Sequence, residues 1–330
     1  MDPQTGEIYG MVSLPDYDPN RYESVPQESY NLFNNPAVSA QYEPGSIYKI
    51  ITMAAAMDAG IITPTMTYND SGSFTIGGRV IFNSNRMANG EVTVTRALAL
   101  SLNVITAQIA EELGADAFYR YVRLFGFGEA TNVDLSGEIY GLIKTPSDDT
   151  WSEADLGTNS FGQGLACTPL QMLNATAAIA NGGRLVQPYI VKARVAGSQA
   201  QITEPVVTRQ VIKPETAHTM ASMMAEVVST SASLAGVEGY SVAGKSGTAQ
   251  IPSAEGYVQE ETIVSFVGFA PADDPQFVLL VKIDRPDPEI NVWAGQTAAP
   301  VFGRIAKRLL DHFSVPPDDL RLAAALEAGN

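Results

Sequence analysis

The spacing of apolar residues along this chain predicts both helices and strands. Residues 50–57 are apolar on nearly every side and Gly60 follows them, which predicts a buried helix that ends there. Thr168 precedes Pro169 and stands three residues before Gln171, a pattern typical of a capped helix start. Elsewhere, short apolar runs between turn residues predict strands. The chain therefore combines both kinds of element.

Similar apolar and turn patterns predict the remaining helices and strands. Helices are also predicted from Thr93 or Thr95 to Leu100, over 104–113, over 115–125, from Pro214 onward and over 297–313. Strands are predicted within 74–82 and 185–212, and over 240–251, 262–270 and 276–284. Residues 2–20 are predicted to form a turn, a short strand and a second turn, and 126–161 an irregular tract. Strands at both ends with helices between them indicate an α+β fold, with a mainly antiparallel sheet flanked by helices.

Composition narrows the class of protein. With 330 residues, of which 45% are hydrophobic and 17% charged, the chain can bury a substantial core. Its net charge of −16 argues against a nucleic-acid partner, because such partners require clustered Lys and Arg. Cys167 is the one cysteine, and His218 and His312 lie far apart and outside any ligand motif. We therefore expect no metal, no other cofactor and no histidine base.

A serine stands three residues before a lysine at the start of the helix predicted over 50–57. Ser46 and Lys49 would share one helix face, so the lysine is expected to reach the Ser46 hydroxyl. Apolar surroundings would lower the pKa of Lys49 toward that of a base at neutral pH. A serine N-cap followed by a lysine that extends to solvent explains the same residues. This S-x-x-K motif alone leaves both interpretations open.

Two further short motifs follow in the chain. An S-x-N motif runs from Ser101 to Asn103 between two predicted helices, and a K-S-G motif runs from Lys245 to Thr248 in a predicted strand. Glycine weakens a strand unless something must approach its backbone, and a substrate lying alongside as an extra strand is one such reason. A strand end or bulge with an exposed lysine is the alternative.

With S-x-x-K, S-x-N and K-S-G in this order, the chain resembles the transpeptidase domain of class B penicillin-binding proteins. Seven further segments carry the resemblance along the chain: Asp2-Pro3-x-Thr5-Gly6, Asp18-Pro19-Asn20, Tyr42-Glu43-Pro44-Gly45-Ser46, Gly162-Gln163-Gly164, Thr168-Pro169-Leu170-Gln171, Ala180-Asn181-Gly182-Gly183 and Phe266-Val267-Gly268-Phe269-Ala270-Pro271. It implies a β-lactamase and transpeptidase type of fold with an all-helical lobe. We expect a single domain over 1–330 with its site between two lobes, and a mobile acidic tail over 314–330.

The resemblance also implies an activity and the residues for it. The protein would be a peptidoglycan D,D-transpeptidase that acts on stem peptides ending in D-Ala-D-Ala and binds β-lactam antibiotics. Ser46 would be the nucleophile, Lys49 its base, and Ser101 a proton relay helped by Lys245. Asn103 would donate its amide NH₂ to a substrate carbonyl, and its own side-chain oxygen would accept from Lys49.

The resemblance also implies which groups bind the substrate and which proteins are partners. Ser246, Gly247 and Thr248 would bind substrate, with the two hydroxyls holding its terminal carboxylate. The backbone N–H groups of Ser46 and Thr248 would form the oxyanion hole. Other cell-wall synthesis proteins are expected partners of the full-length protein.

Other activities share these motifs. A class A β-lactamase needs a glutamate base between its second and third motifs, and no Glu-x-x-x-Asn stands between Ser101 and Lys245. A D,D-carboxypeptidase differs only in using water where a transpeptidase uses an amine. A β-lactam sensor or an inactive scaffold would be non-enzymatic, and the presence of all motif residues disfavours the scaffold.

The beginning of the chain bears on localisation. No run approaches the ~18 apolar residues of a membrane span, and residues 1–20 do not resemble a signal peptide. The chain opens in what reads as mid-hairpin. We expect that the first strand, a membrane anchor and an N-terminal pedestal domain are missing, that this chain is soluble, and that the full protein acts outside the bacterial cytoplasmic membrane.

Overall fold

The computed structural model describes residues 1–253 and 256–328. Its α-helices are α1 (Pro36–Ser39), α2 (Lys49–Asp58), α3 (Val94–Ala99), α4 (Asn103–Leu113), α5 (Ala115–Leu124), α6 (Glu153–Asn159), α7 (Pro169–Ala180), α8 (Pro214–Ser231), α9 (Ala298–His312) and α10 (Asp318–Ala328). Short 3-10 turns occupy Pro19–Ser24, Gln27–Phe33, Gly45–Tyr48 and Ser233–Ala235.

The strands within the described residues form one three-stranded sheet and several two-stranded pairs. They are β1 (Thr67–Asp70), β2 (Ser73–Ile76), β3 (Arg79–Phe82), β4 (Gly90–Thr93), β5 (Arg184–Val186), β6 (Ala193–Ala196), β7 (Gln199–Ile202), β8 (Val207–Gln210), β9 (Ala243–Ser253), β10 (Gly256–Ala270) and β11 (Phe277–Asp284). The main sheet has the order β11-β10-β9, and every strand pair is antiparallel. The predicted α+β class and its mainly antiparallel sheet are confirmed.

The central strand β10 separates two parts of the core. Val264 and Phe266 belong to a cluster with Phe302 of α9, while Val267 and Phe269 belong to the larger cluster built on α2, α4 and α7. Alternate residues of a strand point to opposite faces, so a strand covered on both faces must be apolar throughout. This explains the nearly continuous apolar run predicted as a strand over 262–270.

The helix at the centre of the larger cluster is α2. Eight of its ten residues are buried, which agrees with an apolar run that shows no polar face. The start of α7 is also as predicted, because the Thr168 hydroxyl accepts from the Gln171 N–H and the Gln171 side chain accepts from the Thr168 N–H. The predicted strand segments within 185–212 are present as β5 to β8.

Two predictions about the irregular parts of the chain are wrong. The short strand expected within 2–20 is reduced to one parallel bridge between Glu7 and Tyr189. The tract 126–161 contains helix α6, which begins with a capping box between Ser152 and Asp155. Gly157 lowers helix propensity in α6, yet a Cβ there would lie 2.4 Å from the Ile76 side chain, so packing against β2 requires it.

The acidic segment predicted as a tail contains a helix, α10. Its first turns are attached to the body, since Arg321 pairs with Asp273 at 2.7 Å and Asp318 accepts from the Ser241 N–H at 2.6 Å. The mobility of 314–330 stays a prediction. No helix among the described residues is both long and apolar enough to cross a membrane.

Candidate active site

Ser46 lies in the 3-10 turn Gly45–Tyr48, immediately before α2. This turn is attached to a neighbouring loop, because the Gly45 N–H donates to the Gly162 carbonyl at 2.9 Å. The residues on either side of Ser46 are buried, whereas Ser46 is partly exposed and lines a cleft. Its hydroxyl is therefore presented to solvent from a fixed backbone.

Lys49 is the first residue of α2, and its side chain is fully buried. Its Nζ donates to the Ser101 carbonyl at 2.5 Å, to Ser101 Oγ at 3.1 Å and to Asn103 Oδ1 at 2.7 Å. An ammonium group has three N–H donors, so these bonds use all of them. No hydrogen bond joins Lys49 to Ser46 among the described residues, because residues of the S-x-N motif take the lysine's three donors. That Lys49 reaches the Ser46 hydroxyl stays a prediction.

The surroundings of Lys49 favour its neutral form. Burial lowers the pKa of Lys49 well below its usual range, and the neighbouring Lys245 lowers it further. A neutral amine has two N–H donors and one lone pair, so deprotonation releases one of the three contacts. The freed lone pair can then accept a proton, which is the property required of a base.

The Ser101 side chain contacts both buried lysines. Its Oγ accepts from Lys49 Nζ and from Lys245 Nζ, each at 3.1 Å. A hydroxyl has two lone pairs and one proton, so the Ser101 proton is left to donate elsewhere. Its backbone has a φ of +59°, an arrangement that costs a non-glycine residue about 1 kcal/mol or more. The bond from Lys49 to the Ser101 carbonyl helps to hold that conformation.

Lys245 stands on β9 and is 1% exposed. Besides Ser101 it donates to the Ser246 carbonyl at 2.9 Å, and burial lowers the pKa of Lys245 to about 7. The lysine is therefore near its midpoint at neutral pH. The alternative of an exposed lysine at a strand end does not hold.

Asn103 begins α4 and is fixed at both ends of its amide. Its Oδ1 accepts from Lys49, and its Nδ2 donates to the Phe82 carbonyl at 3.0 Å. Next to Phe82, Asn83 accepts from the Val104 N–H at 3.2 Å and donates to both carboxylate oxygens of Asp70. The end of β3 is thus bound to the start of α4.

The K-S-G strand runs along the turn that contains Ser46. β9 is the edge of the three-stranded sheet in the described part of the chain, and a Cβ on Gly247 would lie 3.0 Å from the Pro44 carbonyl. The close neighbour that explains this strand glycine is therefore the protein's own turn. Thr248 Oγ1 accepts from the Ala294 N–H at 3.2 Å, which leaves the Thr248 hydroxyl proton available to a ligand.

The predicted site residues divide into an exposed and a buried layer. Ser46, Asn103 and Thr248 line a cleft of about 550 Å³. Beneath them, Lys49 and Lys245 are buried and joined through Ser101. The structure therefore brings together all three motifs, although they are far apart in sequence.

One buried acid beside the site was not predicted. Glu43 lies three residues before Ser46 and is 9% exposed; its carboxylate accepts from the Gly164 N–H at 3.0 Å and from the Tyr257 hydroxyl at 3.1 Å. Burial raises the pKa of Glu43, and these two bonds oppose that change. The sequence offers no local signal for the contacts, because both partners come from distant segments.

The chain belongs to the penicillin-binding protein transpeptidase domain family, whose model matches residues 1–307. Stage V sporulation protein D of Bacillus subtilis is 37% identical over 322 residues, covering 96% of this chain and 49% of the relative. Penicillin-binding protein PbpB of Mycolicibacterium smegmatis is 36% identical over 328 residues, with 96% and 50% covered. The resemblance seen in the three motifs is confirmed, and the chain spans about half the length of these relatives.

A solved structure agrees with this family. The crystal structure of penicillin-binding protein 3 from Mycobacterium tuberculosis complexed with aztreonam has a TM-score of 0.84 and 32% identity, covering 96% of this chain and 72% of that chain. The transpeptidase domain of penicillin-binding protein 3 from Burkholderia pseudomallei has a TM-score of 0.80 and 29% identity, with 96% and 88% covered. The predicted type of fold is confirmed.

Proposed function

We propose that this chain catalyses peptidoglycan D,D-transpeptidation through a Ser46 acyl-enzyme and that penicillins acylate the same serine. One observation carries the proposal: both buried lysines donate to Ser101 Oγ at 3.1 Å beside a cleft that Ser46 lines. The relative named peptidoglycan D,D-transpeptidase FtsI in Escherichia coli supports it, being 31% identical over 322 residues. We further propose that residues 1–330 form a single domain with the cleft between two lobes.

In the first half-reaction, Ser46 Oγ attacks the carbonyl carbon between the last two D-alanines. Neutral Lys49 takes the hydroxyl proton through its freed lone pair. The N–H groups of Ser46 and Thr248 stabilise the oxyanion, a contribution of about 3 kcal/mol for each donor in comparable enzymes. When the C–N bond breaks, Ser101 passes a proton from the lysines to the departing amine. The terminal D-alanine leaves and an ester on Ser46 remains.

In the second half-reaction, the amine of another stem peptide attacks the ester carbonyl. The proton lost by this amine returns through the same groups to Ser46 Oγ, so the enzyme is regenerated and one amide bond replaces another. Asn103 is placed to bind a substrate carbonyl with its Nδ2, which its bond to the Phe82 carbonyl holds in position. The hydroxyls of Ser246 and Thr248 and the N–H groups around Gly247 receive the terminal carboxylate, with Lys245 supplying positive charge.

Transpeptidase and D,D-carboxypeptidase activities differ only in the acceptor. The test incubates the protein with a thioester donor that ends in a D-alanyl analogue, with and without a D-amino acid acceptor. A transpeptidase forms the aminolysis product in proportion to acceptor concentration, while a carboxypeptidase forms the hydrolysis product alone. Rapid turnover of nitrocefin would instead identify a β-lactamase, and stable labelling by penicillin without either product would identify a sensor.

Location and partners follow from this function. We propose that the full-length protein acts on the outer face of the bacterial cytoplasmic membrane, where its substrate lies, together with other cell-wall synthesis proteins. The name of one relative, stage V sporulation protein D, supports a role in sporulation. Fluorescence microscopy of the tagged full-length protein tests this, and a uniform cytoplasmic signal would contradict it.

A further inference from the structure

The charge of the cleft differs from the charge of the molecule. The whole chain has a net charge of −16, yet the charged side chains that line the cleft, within the described residues, are two arginines and no acid. These are Arg79 and Arg86, and the other lining residues include Phe82, Tyr257 and Trp293. A cation-lined concavity in an acidic protein attracts and orients an anionic ligand.

Both arginines are available to a ligand. Neither one forms an ion pair within the part of the chain that the structure describes, whereas Arg209, Arg285 and Arg321 each hold a carboxylate at 2.6 to 2.7 Å. The Arg86 guanidinium lies over the Phe82 ring at 5.1 Å, a contact that uses its face and leaves its N–H edge free.

The position of Arg79 is set by strand β3. It begins β3, and Phe82, the last residue of that strand, holds Asn103 of the S-x-N motif. Three residues of a strand span about 10 Å, so Arg79 stands about that far from the point where β3 meets the motif. Tyr257 of β10 lines the same cleft.

The nearby acid Glu43 is engaged in other hydrogen bonds. Its carboxylate is buried and accepts from the Gly164 N–H and the Tyr257 hydroxyl, and no ion pair joins it to Arg79 in the described structure. Arg79 lies close enough for its charge to lower the pKa of Glu43, and Arg79 itself lines the cleft.

We propose that Arg79, supported by the positive charge of Arg86, is a specificity-determining residue that binds a second carboxylate on the donor peptide, roughly three residues before the bond attacked by Ser46. The spacing is taken from the roughly 10 Å between Arg79 and Phe82 along β3, a distance that an extended peptide advancing about 3.3 Å per residue covers in three residues. A guanidinium binds a carboxylate through paired N–H donors, which an uncharged carboxamide cannot match. This inference rests on the proposed function and adds the chemistry of the substrate to it.

The test uses two thioester donors that are identical except for one group. One carries a side-chain carboxylate about three residues before the scissile bond, and the other carries a carboxamide there. The acylation rate constant of each donor is measured by competition with a fluorescent penicillin, for the unaltered protein and for Arg79→Gln, Arg86→Gln and the double variant. Arg96→Gln, an exposed arginine of α3 outside the cleft lining, is the matched control.

The unaltered protein and the control are expected to prefer the carboxylate donor by about fivefold to tenfold. Arg79→Gln should reduce this ratio to near one, with the loss on the carboxylate donor alone, and Arg86→Gln should reduce it partly. Equal rates for the two donors in the unaltered protein, or a preference that survives the double variant, would overturn the inference. Fluorescent penicillin labelling separates the two proposals: failure to label Ser46 refutes the proposed function, whereas normal labelling without donor preference refutes only the subsite.

Discussion

The two buried lysines are electrostatically coupled through Ser101. Each ammonium nitrogen lies 3.1 Å from the same Oγ, so the nitrogens are at most about 6 Å apart, and two unit charges at that distance repel by about 3 kcal/mol at an effective dielectric constant of about 20. Burial is the largest cause that lowers the pKa of Lys49, and this repulsion is the second. The charge of Lys245 therefore helps to keep Lys49 neutral.

Replacement of Lys245 by methionine should raise the pKa of Lys49. In the proposed mechanism acylation needs neutral Lys49, so the acylation rate is expected to fall as the pH drops through the pKa of Lys49. With Lys245 removed, this acid limb should move to higher pH. Lys245 has a pKa of about 7 and carries charge over the acid half of the profile, which is where the shift is expected. The measurement is the acylation rate constant for a fluorescent penicillin from about pH 5 to about pH 10.

The quantity to compare is the pH at which the acid limb of the acylation profile lies, rather than the maximum rate. The maximum rate should also fall, because Lys245 donates to Ser101. Lys307→Met, which removes an exposed charge on α9, should leave both the height and the limb unchanged. The reasoning is refuted if the acid limb of Lys245→Met stays in place or moves to lower pH.

Two further substitutions test the packing that supports the site. Asn83→Ala removes the one amide nitrogen that bonds both oxygens of the buried Asp70 carboxylate, and it leaves the Val104 N–H without its acceptor. Urea denaturation should therefore show a loss of about 2 to 4 kcal/mol in the free energy of unfolding, and a loss below about 0.5 kcal/mol would contradict the network. Gly247→Ala places a Cβ 3.0 Å from the Pro44 carbonyl and must displace the turn that contains Ser46 by a few tenths of an ångström. Penicillin acylation should therefore slow by about tenfold. An unchanged acylation rate would show that the spacing between β9 and this turn is not critical.

Local sequence signals predicted much of the fold. The capping box of Thr168 and Gln171 and the apolar run of α2 act within a few residues, so their structure could be inferred without the rest of the chain. The helix α6 was missed because its capping signal is short and Gly157 weakens it. Only its contact with Ile76, a residue from a distant hairpin, explains that glycine.

The site was predictable as a set of residues and in part as a network. The order of the three motifs indicated Ser46, Lys49 and Ser101, and the predicted bond from Lys49 to the Asn103 side-chain oxygen is present. The two bonds from Lys49 to Ser101 depend on how α2 meets the start of α4 and could not be inferred from the motifs. The anchoring of Asn103 by a backbone carbonyl of β3 could not be predicted, since any residue offers the same carbonyl.

The central claim is that Ser46 is the acylated nucleophile. Incubation with a fluorescent penicillin, followed by proteolysis and mass spectrometry of the peptide that contains Ser46, tests it most directly. We predict one covalent adduct on Ser46 that persists for many minutes, and no adduct in Ser46→Ala, whose thermal unfolding should be unchanged. An adduct on another residue, or undiminished labelling of Ser46→Ala, would contradict the claim.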